Sequence, residues 1–150
     1  MHDLELIFGG WRYTVDREAT ILAYGRAERG GVDTCECAYC RNFRLARQHL
    51  FPEKFLRLLD QLGIDPLKDA EVYHNARLAP GRHDYGGWYH FVGTLDEIGD
   101  FPVVQLGDGF TAWVCRASAP RLASFRDGQA VQLEFNAEAV PWLLDEPEPA

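Results

Sequence analysis

Residues 39–63 read YCRNFRLARQHLFPEKFLRLLDQLG, and their apolar side chains recur at helical spacing. Intervals of three and four between apolar residues are typical of a helix with one buried face. Pro52 divides the stretch, because proline is tolerated in the first turn of a helix but not in its interior. The pattern therefore predicts two helices, at about 39–50 and 52–62, and Gly63 ends the second one.

The segments around this helical pair are predicted as strands. Two apolar runs, 4–8 and 11–15, flank Gly9-Gly10, which is a signal for a tight β-hairpin. A short helix is expected at 18–25. Further strands are predicted at 72–78, 88–95, 103–106, 110–115 and 131–136, with a polar loop at 80–87 between the first two. This order predicts an α+β fold, in which a mainly antiparallel sheet packs against the pair of short helices.

Length and composition predict one domain. The chain has 150 residues, which is the usual size of a single domain with one core. We expect residues 1–144 to form that domain. The acidic, proline-containing end at 145–150 is predicted to be a disordered tail.

Charge and hydropathy exclude several classes of partner. The formal net charge of −8 disfavours nucleic acid, whose phosphates require a basic surface. The N-terminus lacks the pattern of a signal peptide, and no stretch approaches the roughly 20 apolar residues of a membrane span. We therefore expect a cytoplasmic protein without a membrane or nucleic-acid partner; a protein partner remains an alternative.

Cys35, Cys37 and Cys40 form the most distinctive cluster in the sequence. Thiols stay reduced in the cytoplasm, where a tight cysteine cluster indicates metal binding or redox chemistry. Zinc takes four ligands in a tetrahedron, and cysteines separated by one or two residues can reach one ion. The cluster predicts a zinc site whose fourth ligand is unassigned, with Cys115 and His49 as candidates.

Two alternatives explain the same three cysteines without a metal. A CxxC segment at the start of a helix can acidify its first thiol, which would make Cys37 a nucleophile. The glycine-rich segment before the cluster does not resemble the strand of a thioredoxin-like unit, however. Free cysteines are also among the most buried residues, so the three thiols can simply pack against the helices.

The histidines suggest a second candidate site. If strands 72–78 and 88–94 pair across the predicted loop, His74 and His90 could face each other at roughly 5 Å between Cβ atoms. With Tyr73 and Tyr89 they would form a polar aromatic pocket suited to acid–base chemistry. The alternative is that both histidines are hydrogen-bonded sheet residues with no shared function.

Arg41, Arg44 and Arg47 recur every three residues and should lie along one stripe of the first predicted helix. Such a stripe near a helix start can bind a phosphate or a carboxylate. A solvated helix face is the favoured interpretation, because the chain as a whole is acidic.

Several motifs along the chain resemble a family of small uncharacterised bacterial proteins. They are CxCxxCxNF at 35–43, Phe51-Pro52, LGIDP at 62–66, Glu71-Val72 and GGWYHFVG at 86–93. The resemblance spans about residues 9–115 and implies no activity.

Together these features predict a non-enzymatic cytoplasmic binding or interaction domain with a structural metal at the cysteine cluster. The alternative is a small enzyme that uses a reactive thiol of the cluster or the pocket of His74 and His90. No catalytic motif with defined spacing is present in the sequence.

Overall fold

Seven strands and four helices form the described part of this computed structural model, which comprises residues 3–97 and 103–149. They are β1 (Asp3–Phe8), β2 (Trp11–Asp16), α1 (Arg17–Arg26), α2 (Gly31–Thr34), α3 (Ala38–Leu50), α4 (Glu53–Leu62), β3 (Glu71–Ala79), β4 (Arg82–Glu97), β5 (Val104–Gly107), β6 (Phe110–Arg116) and β7 (Ala130–Pro141). A 3-10 turn, Ala123–Phe125, lies between β6 and β7. The predicted α+β fold, with an antiparallel sheet packed on a helical pair, is confirmed.

Local signals placed the first hairpin and the helical pair correctly. Gly9 and Gly10 both have positive φ, at 58° and 84°, as a tight hairpin turn requires, and Phe8 pairs with Trp11. Pro52 caps the start of α4, and Gly63 ends that helix in the left-handed conformation with φ 78°. The helix predicted at 18–25 is α1. The short helix α2, which directly precedes the cysteines, was not predicted.

The sheet is organised around β4, its longest strand. The strand order is β1-β2-β4-β7-β6-β5, and β3 also pairs with β4, all antiparallel. One edge of β4 pairs with β7, whereas its other edge pairs first with β3 and then, from Gly93, with β2. This arrangement leaves a gap on the second edge around His90.

Helix α1 fills that gap. The Tyr24 hydroxyl donates to the carbonyl oxygen of His90 at 2.7 Å and accepts from the backbone N–H of the same residue at 3.3 Å. The hydroxyl of Thr20 accepts from the backbone N–H of Val92 at 3.0 Å. Two side chains of α1 therefore satisfy backbone groups of β4 that have no neighbouring strand, as buried polar groups require.

The predicted loop at 80–87 is wrong. β3 and β4 are joined by a tight turn at Pro80 and Gly81, and β4 begins at Arg82. Gly86 and Gly87 resemble turn residues in the sequence but lie inside the strand. They are needed for close packing: a Cβ on Gly86 would lie 2.4 Å from the hydroxyl oxygen of Tyr73, and one on Gly87 would lie 2.8 Å from the ring of Phe135.

Aromatic rings fill the core between the sheet and the helices α3 and α4. Phe55 and Phe135 are completely buried, and Phe135 stacks on Phe110 with 5.7 Å between ring centroids. Phe43 of α3 packs on Tyr85 of β4 at 5.3 Å. These contacts fix α3 over β4, so the orientation of the first turn of α3 is set by the core.

The C-terminal residues contact the first turn of α3 and the β3–β4 hairpin. Glu146 pairs with Arg41. Glu148 accepts from the backbone N–H of Gly81 at 2.8 Å and from the guanidinium of Arg77 at 3.2 Å. The domain limits of 1–144 and the disorder of residues 145–150 in solution stay predictions.

Candidate metal centre

The three clustered cysteines lie where α2 ends and α3 begins. Cys35 follows the last residue of α2, Cys37 caps the N-terminus of α3, and Cys40 lies in the first turn of α3. The Sγ atom of Cys37 accepts from the backbone N–H of Cys40 at 3.4 Å, which is a helix-capping contact made by a thiol. Two helix ends therefore converge on the cluster.

Helix α2 is fixed by Asp69, which lies just before β3. The backbone N–H of Gly31 donates to the carbonyl oxygen of Asp69 at 2.8 Å, and that of Val32 donates to its carboxylate at 3.1 Å. A Cβ on Gly31 would lie 2.3 Å from the carbonyl oxygen of Ala70, so only glycine allows this approach. Cys35 is thus held beside the start of β3.

The three Sγ atoms lie within 4.8 Å of one another. The sulfurs of Cys35 and Cys37 are 3.3 Å apart. In a tetrahedral zinc site with Zn–S bonds of about 2.3 Å, neighbouring sulfurs are about 3.8 Å apart, so the observed spacing needs little adjustment. Cys40 is buried, Cys35 is half-buried and Cys37 is exposed. The cluster can therefore hold a metal ion, and an ion can reach it from solvent.

The structure places neither predicted fourth ligand in the cluster. Cys115 lies on β6 opposite Gln132, and burial raises the pKa of its thiol to about 11. His49 lies in the last turn of α3, about 16 Å along the helix axis from its first residue. Among residues 3–97 and 103–149, the cluster of potential ligands contains the three cysteines alone.

The environment distinguishes the thiols. Hydrogen bonds from Cys40 and Cys37 lower the pKa of Cys35, and the nearby positive charge of Arg44 lowers it further. Burial raises the pKa of Cys40 well above its usual range. The acidified thiol is therefore Cys35, whereas the helix-start argument from the sequence favoured Cys37.

The arginine stripe on α3 is engaged by the chain's own acidic and carbonyl groups. Arg41 pairs with Glu146 and donates to the carbonyl oxygen of Glu36, Arg44 contacts the side chain of Glu36, and Arg47 pairs with Asp33 and Asp69. The side chain of Arg47 is only 10% exposed, so the prediction of a solvated face is wrong for this residue. The stripe joins α2, α3 and the C-terminal residues around the cysteines.

The predicted pairing of His74 with His90 is wrong. His74 lies opposite Tyr85, whereas His90 lies opposite Gln132 of β7. His90 is five residues from Tyr85 on the same strand, so its side chain points to the other face of the sheet from His74. The physical reason is the tight turn after β3. It pairs β3 with residues 82–88 of β4, whereas an eight-residue loop would have paired it with residues from 88 onward.

The two tyrosines of the predicted pocket are separated in the same way. Tyr73 lies opposite Gly86 and packs its ring against Trp88 at 5.8 Å. Tyr89 is buried on the opposite face, where its hydroxyl donates to the carbonyl oxygen of Pro66 at 2.7 Å. His74, His90, Tyr73 and Tyr89 therefore do not form one pocket.

A different histidine pair forms at this position. Nε2 of His74 lies 2.8 Å from Nδ1 of His83, and Nε2 of His83 lies 2.5 Å from a carboxylate oxygen of Glu148. His83 is completely buried, and Tyr39 stacks on His74 with 3.9 Å between centroids. This pair was not predicted from the sequence, because residues 80–87 were expected to form a loop. Recognising Pro80-Gly81 as the turn would have brought His74 and His83 together.

Comparison with known proteins gave no match to a protein-family model, a curated protein or a solved structure. The resemblance to the bacterial family thus stays a prediction. Among the described residues, no helix combines the length and the apolar character needed to cross a membrane.

We predict that Cys35 is alkylated by iodoacetamide faster than Cys40 and Cys115 in metal-free protein near neutral pH. The thiolate is the reactive form, and the pKa of Cys35 is lowered whereas burial raises the pKa of the other two thiols. Peptide mass spectrometry over time measures the three rates, and the same reaction in denaturant is the control, where the rates should converge. Equal rates in the folded protein would contradict the assignment.

We also predict that His90 makes the protein sensitive to acid. Burial lowers the pKa of His90 to about 4, with Gln132 as its hydrogen-bond partner and Arg121 as the nearby charge. In the unfolded chain His90 binds a proton near pH 6.5, whereas in the folded chain it binds one only near pH 4. The contribution of neutral His90 to the free energy of unfolding is therefore fully present above pH 6.5 and is lost as the pH falls toward 4. Asp69 acts oppositely, because burial raises its pKa to about 6 and its proton stabilises the folded state below that pH.

The variant His90→Gln isolates the contribution of His90 to the pH dependence of stability. Between pH 7 and pH 5, the wild type should lose about 2 kcal/mol of unfolding free energy relative to this variant. Urea unfolding at both pH values measures the difference, and His49→Gln, at an exposed position, is the matched control that should leave it unchanged. An identical pH dependence in wild type and His90→Gln would refute the prediction.

Proposed function

We propose that this protein is a non-enzymatic binding domain in which Cys35, Cys37 and Cys40 bind a zinc ion as thiolates. The observation that carries the proposal is the convergence of the three Sγ atoms within 4.8 Å at the junction of α2 and α3. Soft thiolate ligands favour zinc, copper(I) and iron–sulfur clusters among biological metals. We propose zinc among these because it has no redox chemistry and is the usual metal of structural sites with cysteine ligands.

The metal would have a structural role, because the segment that carries the cysteines has few apolar contacts of its own. Residues 26–31 are polar and glycine-rich, and α2 buries only Val32. Ordering such a segment costs conformational entropy, and the burial of apolar side chains offsets little of that cost. Three metal–sulfur bonds would join the end of α2 to the first turn of α3. The cytoplasm is the compartment we propose, since thiols remain reduced there.

The surroundings of the cluster support binding rather than catalysis. The arginines beside it are occupied by carboxylates of the same chain. On the sheet, His74 is engaged with His83, and His83 is engaged with Glu148. The second candidate is an enzyme with Cys35 as nucleophile, which its lowered pKa favours. An alkylation rate of Cys35 no higher than that of an ordinary peptide thiol would remove that candidate.

We predict that purified, untagged protein contains about one zinc per chain. A strong chelator should lower its free energy of unfolding by about 3 kcal/mol, because the free energy of metal binding to the folded state adds to the stability of that state. For a domain of this size, the midpoint of thermal unfolding should fall by roughly 6–12 °C. Elemental analysis and calorimetry with and without chelator measure both quantities.

Variants at two cysteines test the location of the site. Cys37→Ser should abolish the zinc content and make the midpoint insensitive to chelator, whereas Cys115→Ser, which removes a thiol outside the cluster, should preserve both. Zinc that survives in Cys37→Ser, or protein that is purified without metal and is indifferent to added zinc, would overturn the proposal.

A further inference from the structure

A cavity of about 350 Å³ adjoins the cysteine cluster. The residues that line it include Cys35 and Cys40, Ala70 just before β3, and Glu71 and Val72 at the start of β3. Cavities that hold small molecules start at about 300 Å³. The volume beside the cluster is therefore sufficient for a ligand of a few heavy atoms.

The cluster supplies three of the four ligands that zinc takes. Among the residues that the structure describes, the group of potential ligands around the three sulfurs contains no histidine, aspartate or glutamate. Zinc sites with three protein ligands hold a solvent molecule or a substrate in the fourth position. Since Cys35 and Cys40 both line the cavity, a ligand in that cavity can reach an ion bound by their sulfurs.

Charge selects the class of ligand. Zinc bound by three thiolates has a net charge of −1, and the residues lining the cavity include Glu71 but neither lysine nor arginine. The side chain of Glu71 is exposed and forms no ion pair with a residue in the described ranges 3–97 and 103–149. Arg44, the positive charge near Cys35, is paired with Glu36. A ligand that carries a cationic group is therefore attracted to both negative charges, whereas a thiol that carries a second, anionic group is repelled.

We infer that the cavity binds a small aminothiol, whose sulfur occupies the fourth position on the metal and whose ammonium group pairs with Glu71. This inference rests on the proposed metal site. On binding, a metal–sulfur bond forms, a solvent molecule leaves the metal, and the thiol proton passes to the buffer. No oxidation or reduction takes place. The domain would thus be a receptor for a small thiol that carries a positive charge.

The test uses full-length protein loaded with cobalt(II), whose visible absorption bands report the number and type of ligands. Three probes share a thiol on a two-carbon frame and differ in charge: cysteamine is cationic, 2-mercaptoethanol is neutral and mercaptoacetate is anionic. They also differ in thiol acidity and in chelation, and comparison with the Glu71→Gln variant separates these effects from that of charge. Each is titrated while gel filtration checks that cobalt stays with the protein. Cysteamine should change the cobalt spectrum with a dissociation constant of about 1 mM or lower, at least about threefold below that of 2-mercaptoethanol, and mercaptoacetate should bind most weakly.

The variant Glu71→Gln should reduce the affinity for cysteamine about threefold and leave that for 2-mercaptoethanol unchanged. Glu138→Gln, which neutralises an exposed glutamate on β7 away from the cavity, is the matched control and should retain the preference. A cobalt site with thiolate bands that no thiol alters, or from which thiols only extract the metal, would overturn the inference and leave the metal site intact. Equal affinities for the three thiols would also overturn it. Failure to bind cobalt at all would remove the metal site together with the inference.

Discussion

The packing of α3 against β4 and β7 is the contact on which the cysteine cluster and the C-terminal residues both depend. Phe43 is 1% exposed and lies against the rings of Tyr85 and Phe135. Burial of a phenylalanine in such a position contributes about 3–5 kcal/mol, as truncations to alanine in other cores indicate. With Phe43 fixed, the rotation of α3 about its axis is fixed, and the directions of Tyr39, Cys40 and Asn42 follow.

Asn42 extends this constraint to the end of the chain. Its side-chain amide donates to the carbonyl oxygen of Pro141 at 3.0 Å, and its oxygen accepts from the backbone N–H groups of Leu143 and Leu144 at 2.6 and 3.1 Å. Asn42 is completely buried, so loss of these partners would leave unsatisfied polar groups in the interior. One helix turn therefore positions two cysteines on one side and the last residues of β7 on the other.

The features that the sequence predicted correctly are those encoded within a few residues. Three such features depend on local geometry alone. They are the two helices in 39–62, the hairpin turn at Gly9-Gly10 and the convergence of the thiols of Cys35, Cys37 and Cys40. Long-range features were predicted less well. Gly86-Gly87 has the composition of a turn, but its function is to admit the rings of Tyr73 and Phe135, which come from other strands. The error in register then separated His74 from His83 and paired it with His90.

The same distinction applies to the candidate site. Three ligands within six residues can be recognised from spacing alone, because a turn and a helix start bring them together. Whether Cys115 or His49 reaches the cluster depends on the path of the whole chain, which spacing does not reveal. The cavity beside Cys35 and Cys40 arises where α2 meets β3, and no motif in the sequence marks that contact.

X-ray absorption spectroscopy at the zinc edge tests most directly the claim that α3 and α2 hold three thiolates around one ion. In protein loaded with zinc and free of added thiols, the first shell should contain three sulfur atoms at about 2.3 Å and one lighter atom. A first shell with fewer than three sulfurs, or with nitrogen and oxygen alone, would contradict the account.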